Sequence, residues 1–410
     1  MSGRPSVMPE LLTHGLRAME ICRHLVVEIG PRPAGSPAEG EALTWIEETA
    51  TQLGYTVQTE GFAFAPQPPF LPYQTLAALG MLAGAVLLPV FPWAALALPL
   101  WVAALPELAD GLQRRLPHRE KSANLVVLPG GTTLDQVELL FCAHVDSARA
   151  VPNQSSLIRS LRPHLHSLMQ RTALILAIVG LVNVSGLFTT TAFNTAALTF
   201  SLLIAAGLIA FDLYNQLGNH LRFSPGANDN ASGTAVLVTL METLASQPPE
   251  KVGYLFTGAE ETGMDGARAF VHQHPLPGTP PFVLSVDMVG TGQRLRIIRE
   301  ARSLHRVITS TALNRLLERA DPAAQPHTAV RRSGDFEPFL KAGFPASAIE
   351  AEGTQSSWGT NHTSADQGYD LDPAMLEHTC QVCIQLVHLV GKNPPSSLSN
   401  PKDQLTQDNA

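Results

Sequence analysis

The chain has 410 residues, a net charge of −8 and only 15% charged residues, and its mean hydropathy is slightly positive. Lysines and arginines are mixed among acids, which excludes the basic footprint of a nucleic-acid-binding protein. Its 4 cysteines are too few and too scattered for a disulfide framework. Cys380 and Cys383 fall in a helical pattern, Cys22 and Cys142 in apolar ones, so all four read as core thiols.

In chain order, Met1 to Glu10 hold Arg4 but no apolar run, so no secretory leader is expected. Apolar residues at helical spacing follow from Leu11 to Ile29. After the turn-rich GPRPAGSPAEG, a second helix carries Leu43, Ile46, Ala50 and Leu53 on one face, with Gly54 as its stop. Tyr55 to Glu60 alternates as a strand, and the Pro-rich APQPPFLP connects it to an apolar block. That block, Leu76 to Leu105, is 30 residues without a charge. As one helix it would reach about 45 Å, too long for a hydrocarbon core of about 30 Å. Pro89 and Pro92 break it, so the pattern predicts a helical hairpin with short, partly re-entrant arms.

Asn124 to Leu128 and Val137 to Ala143 read as strands. A basic stretch with Arg159, Arg162 and Arg171 leads into a second apolar block, whose arms, Thr172 to Phe188 and Thr195 to Tyr214, approach transmembrane length. Beyond Arg222 the pattern predicts a helix over Ala231 to Ala245, strands over Val252 to Thr257, Val283 to Asp287 and Ala346 to Glu350, and helices over Gly334 to Ala342 and Pro373 to Val390. The tail from Asn393 has a disordered composition. Strands alternating with helices predict a doubly wound α/β sheet, mixed but mostly parallel, flanked by helices.

Five segments concentrate His, Asp and Glu at strand ends, where open α/β sheets build their sites. In FCAHVDSA, His144 ends an apolar strand, and Asp146 lies two residues on, placed to orient a ligating imidazole. In PGANDNASGTA, Asp229 is the one carboxylate of a turn opening into a helix, where it could bridge two cations or serve as an N-cap. In YLFTGAEETG, the adjacent Glu260 and Glu261 repel unless a cation or a proton intervenes. One would ligate a metal and the other act as general base, though two solvated acids fit the same pattern. VLSVDMVG places Asp287 after a strand, as ligand or turn former. WGTNHTSADQGYD carries His362 and Asp366 in a polar loop, where a lone His is ordinarily solvated. Histidines such as His14, His24 and His274 match no ligand spacing. Together the five N/O donors suit zinc, which takes such ligands at about 2.0–2.2 Å.

This order of motifs resembles the di-zinc aminopeptidase family of metallopeptidases, whose relatives include bacterial leucyl aminopeptidases, glutamate carboxypeptidases and the one-zinc glutaminyl cyclases. GPRPAGSPAEG, LGYTV and DFEPFLKAGFPASAIE are similar to other parts of the family. The resemblance implies a zinc-exopeptidase-like fold and two zinc ions per chain. Asp229 would bridge them, His144 and Asp287 would complete one site, and Glu261 and His362 the other. Glu260 would be the general base and Asp146 the partner behind His144. Ser333-Gly334-Asp335 departs from the family's usual Ser-Asp-His, which bears on the substrate pocket. The implied activity is hydrolysis of peptide bonds, with a peptide or protein N-terminus as substrate. The alternatives are a one-zinc glutaminyl-cyclase-like acyltransferase, or an inactive membrane receptor or scaffold of the same fold.

The two apolar blocks interrupt the peptidase pattern. Residues 1–70, 113–155 and 222–392 read as peptidase domain, 71–112 and 156–221 as inserted transmembrane hairpins, and 393–410 as a tail. Parts of one sheet must lie on one side of the bilayer, so each insert must cross an even number of times; two hairpins make four crossings. Arg114, Arg115, Arg119, Lys121, Arg159, Arg162, Arg171 and Arg222 flank the inserts and the inter-helix turns carry no charge. The positive-inside rule then predicts a multi-pass integral membrane protein with a cytoplasmic catalytic domain.

Overall fold

A computed structural model describes residues 12–65, 73–113, 117, 119–150, 156–186, 191–219, 223–302, 306–330, 334–353 and 360–395. Ser333, Arg114, Arg115, Arg222 and the tail beyond 395 lie outside the described residues, as do the side chains of Arg159 and Arg162. The chain divides into two compact units: Met1–Phe64, His118–Ala150 and Phe223–Ala410 form the first, and Ala65–Pro117 and Val151–Arg222 the second.

The first unit is built on a nine-stranded sheet: β1 (Tyr55–Phe64), β2 (Glu120–Pro129), β3 (Leu139–His144), β4 (Val252–Thr257), β5 (Phe282–Val286), β6 (Leu295–Arg302), β7 (Arg306–Ile308), β8 (Gln325–Val330) and β9 (Ala346–Ala351). The order is β1-β2-β4-β3-β5-β9-β6-β7, with β8 paired to β6. The expectation of a mostly parallel sheet holds only at the centre. There β4, β3, β5 and β9 run parallel, as does the β6–β8 pair. The pairs β1–β2, β2–β4, β6–β9 and β6–β7 are antiparallel.

Both faces of the central strands are covered, so they read as continuous apolar runs and not as alternating ones. Along β3, Leu139, Phe141 and Ala143 join one core while Leu140 and Cys142 join the other. The first core is closed by α1 (Thr13–Arg23), α2 (Pro37–Gln52), α8 (Ser232–Leu244), α10 (Thr311–Ala320) and α12 (Pro373–Lys392). The second is closed by α9 (Asp265–Gln273) and α11 (Phe336–Lys341). All four cysteines are buried free thiols, as expected.

The second unit contains α3 (Tyr73–Leu87), α4 (Pro92–Leu96), α5 (Leu98–Gln113), α6 (Ser156–Ser185) and α7 (Thr191–Asn219). The first apolar block breaks between Leu87 and Pro92 and folds back, with Trp101 and Leu98 packed on Gly80 and Gly84. The basic stretch before the second block is not a separate segment: it is the first half of α6. Among the described residues, Ser167–Ser185 and Thr191–Phe211 are long and apolar enough to cross a membrane, and Thr75–Leu87 is shorter. The unit is apolar inside, at Met81, Leu98 and Leu176, and outside, at Phe91, Trp93, Leu100 and Leu203.

Both inserts leave and re-enter the first unit at paired residues. Phe64 pairs with Glu120 across β1 and β2. Arg149 bridges Phe223, with its guanidinium 5.8 Å above the Phe223 ring.

Candidate metal centre

Parallel pairing lines up the carboxyl ends of the central strands. His144 is opposite Thr257, and Val286 is opposite Ile349, so the segments after β3, β4 and β5 start side by side. Into this row comes the turn Ala227–Ala231 before α8. Its glycines are dictated by close approach. A Cβ on Gly226, whose φ is 64°, would lie 2.6 Å from the Asp229 carbonyl oxygen. One on Gly233 would lie 2.2 Å from the Val286 carbonyl oxygen.

The N-cap reading of this turn falls to Asn230, whose Oδ1 accepts from the Gly233 N–H at 2.9 Å while its amide donates to Val286. That leaves the Asp229 carboxylate for the histidines. Oδ1 lies 3.2 Å from His144 Nε2, and Oδ2 lies 3.1 Å from His362 Nε2. His144 Nε2 is 3.6 Å from Asp287 Oδ1, and His362 Nε2 is 3.2 Å from Glu261 Oε2. Donor atoms of His144, Asp229 and Glu261 all fall within 4.8 Å of one another. The five sequence-selected residues are thus brought together as two groups sharing Asp229. The cluster is open on one side, where the side chains of Asp287 and His362 are 26% and 39% exposed.

Asp146 differs from expectation in one respect. His144 Nδ1 donates to the main-chain oxygen of Asp146 at 3.2 Å, and the carboxylate stands off at 3.5 Å. That carboxylate instead accepts the Glu260 and Glu261 N–H groups, each at 3.0 Å. It thereby ties the Glu-Glu turn to the end of β3. Three residues here take the left-handed backbone region without being glycine: Ala259 before the acids, Met288 after Asp287, and His362 itself. Such conformations cluster where surrounding structure holds a site in place.

The electrostatics have no internal balance. Burial pushes the Glu260 and Glu261 carboxyls well above their usual range, and neighbouring acids add to the effect. Burial opposes charge on His144 too, but Asp146, Asp229 and Asp287 outweigh it and push the imidazole up. For Asp229, burial is outweighed by the two imidazoles, which hold it far below the usual carboxylate range. His144 Nε2 and Asp287 Oδ1 are buried without a hydrogen-bond partner among the described residues. Nitrogen and oxygen donors converging with unmatched lone pairs fit divalent zinc.

Three further residues support the cluster: sequence reasoning missed Arg32 and named Asp366 and Asp335 without these roles. Arg32, in GPRPAG, is fully buried and donates to the carbonyls of Leu25, Gly30, Val145, Pro225 and Gly226. Burial pulls its guanidinium down to about 10, so it stays charged at neutral pH. It clamps the loop before Asp229 to the loop after His144. Replacing Arg32 by methionine strands these carbonyls, and the variant is expected to lose at least about 3 kcal/mol, read from chemical denaturation. An unchanged midpoint would contradict the clamp. Asp366 accepts the Asn228 and Asp229 N–H groups, and burial pushes it up to about 6. Asp335 accepts from the Thr257 hydroxyl at 2.5 Å, and burial likewise pushes it up to about 6.

Residues 216–387 match the sequence profile of Peptidase family M28. The chain carries a family M28 peptidase domain. The span matched to M28 includes Asp229, Glu260, Glu261, Asp287 and His362, while His144 and Asp146 precede it. The putative endoplasmic reticulum metallopeptidase 1-A of Caenorhabditis elegans is 25% identical over 185 residues, 42% of this chain and 20% of that protein. The chain spans a fifth or less of the length of the curated relatives it matches. Among solved structures, BSAP, a zinc aminopeptidase from Bacillus subtilis, superposes with TM-score 0.53 at 14% identity, covering 92% of this chain and 95% of that one. Bacteroides thetaiotaomicron glutaminyl cyclase bound to N-acetylhistamine gives 0.54 at 13%, covering 91% and 97%. At such identities the likeness is one of fold: an α/β sheet flanked by helices, as in zinc exopeptidases.

Proposed function

We propose that this chain is a membrane-embedded di-zinc metallopeptidase that removes residues from the amino terminus of peptides. The observation carrying the proposal is the Asp229 carboxylate, whose two oxygens reach two different histidines at 3.2 and 3.1 Å. His144 and Asp287 would hold one ion, Glu261 and His362 the other, and Asp229 both. Zinc bound there would acidify an attacking water and polarise the scissile carbonyl. Glu260, in the same electrostatic cluster as His144 and Asp287, takes a proton from that water and returns it to the departing amine. Asp146 accepts the Glu260 N–H and so restrains the main chain that carries this carboxyl.

The test is a panel of free and N-blocked peptides with and without chelator. Cleavage of free termini alone, lost with chelation, is expected. Cyclisation of N-terminal glutamine with one zinc per chain would move the assignment to the glutaminyl-cyclase reading. No bound metal and no hydrolysis would leave a receptor or scaffold.

Zinc loading is also expected to release protons. In the metal-free chain, burial favours the protonated forms of Glu260 and Glu261, and the surrounding acids favour the protonated His144. Affinity should therefore fall as pH falls. Titration calorimetry in buffers of different ionisation enthalpy reads the protons directly; buffer-independent heats would contradict this.

The membrane assignment is supported by α6 and α7, whose apolar windows are only 39% and 22% buried. It is also supported by the paired exit and re-entry points, which require an even number of crossings. Positive charges flanking the inserts favour a cytoplasmic peptidase domain. Carbonate extraction should leave the protein in the pellet, and a reporter fused at the tail should be protected from outside protease. Release into the supernatant would overturn the embedding, and external cleavage the orientation.

A further inference from the structure

Three consecutive main-chain N–H groups lead into and through the Glu-Glu pair, and all three are held by buried carboxylates. Asp146 takes those of Glu260 and Glu261. The first, from Ala259, donates to Glu39 Oε1 at 3.0 Å. Glu39 is an acid of α2, and its other oxygen accepts the Gly35 N–H at 2.7 Å and the Ser122 hydroxyl at 2.9 Å. The carboxylate is buried and seated directly on the turn: a Cβ on Gly258 would lie 2.8 Å from Oε1. Ala259 has φ 53°, a left-handed conformation that alanine rarely adopts unaided. A bond to its N–H favours the conformation that aims the next two side chains.

We infer that Glu39 is a positioning residue of the peptidase centre, holding the Ala259 peptide so that the Glu260 carboxyl is presented to the reacting water. The inference rests on the general-base role of Glu260. The bland account is helix capping, since Ser36 accepts from the Glu39 N–H and Glu39 from the Gly35 N–H at the start of α2. Capping explains neither the bond to Ala259 nor the one to Ser122, which lie on other elements. Burial pushes the Glu39 carboxyl up to about 8, a cost that a surface capping acid would not carry.

The experiment compares Glu39→Ala, Glu39→Gln and Ser36→Ala in the full-length zinc-loaded protein. It measures kcat and KM on leucine p-nitroanilide, zinc content, and amide exchange at residues 259–261 without substrate. Glu39→Ala is expected to lower kcat about 10–100-fold with KM and zinc content maintained, the scale seen when a group orienting a metal site is lost. The Ala259 to Glu261 amides should exchange faster in the same variant. Glu39→Gln keeps a carbonyl oxygen for Ala259, and the Ser122 hydroxyl can turn to accept from its amide, but the Gly35 N–H then faces a second donor, so it should recover only part of the loss. Ser36→Ala, which removes the α2 cap alone, should leave kcat as it is. Equal loss in Ser36→Ala and Glu39→Ala, or loss confined to KM or zinc content, would overturn the positioning role. Normal kcat or unchanged exchange in Glu39→Ala would also overturn it. A wild-type chain without zinc-dependent hydrolysis would overturn the general-base reading and this inference with it. The exchange data then report separately whether Glu39 restrains the turn.

Discussion

Glu260→Gln is expected to bind zinc as the wild type does and to lose about 10²–10⁴-fold in kcat, the usual worth of a positioned acid–base group. Glutamine fills the same volume and can keep the turn, because that turn is held through main-chain N–H groups by Asp146 and Glu39. What it lacks is an oxygen that can accept and return a proton. Burial among Glu261, Asp335 and Asp287 raises the Glu260 carboxyl, and His144 counters this. A carboxyl raised in this way accepts a proton more readily, as general-base work at neutral pH requires. Single-turnover kinetics alongside zinc content separate the two roles of the Glu-Glu pair. Near-normal turnover would refute the assignment of Glu260, and loss of one zinc would make it a ligand.

The second large effect is expected at Asp229. Its two oxygens face the two histidines separately, so Asp229→Asn replaces one anionic donor by an amide nitrogen that cannot ligate. It also removes the charge shared by both groups. Zinc content is expected to fall below one ion per chain and activity to fall by at least about 10⁴-fold, more than for any single outer ligand. Asp287→Ala should remove one ion and leave the group of Glu261 and His362 occupied. If Asp229→Asn retained both ions while Asp287→Ala lost both, the bridging role would belong elsewhere.

The candidate site was legible because its chemistry sits at strand ends and the strands are strongly apolar. VGYLFT and LLFCAH read as buried strands, and the acids and His144 follow at or near their ends. The supports were not legible. Arg32 lies in a turn-rich segment and meets its partners through tertiary contacts with residues up to 194 positions away, and no local pattern encodes that. The central parallel strands carried their pattern plainly. The far edge did not: β6, LRIIREAR, mixes charges into an apolar run, and β7 has 3 residues. The helix α10 could have been found, since Ser310 caps it and Leu313, Leu316 and Leu317 share one face. The break in the first apolar block was legible too, since Pro89 and Pro92 lie where α3 ends at Leu87 and α4 starts at Pro92.

Anomalous diffraction at the zinc edge, from crystals of the full-length protein, tests the central claim most directly. Two peaks about 3.5–4 Å apart are expected, one between His144 and Asp287 and one between Glu261 and His362, with the Asp229 carboxylate across both. A single peak, or zinc bound away from Asp229, would contradict the account.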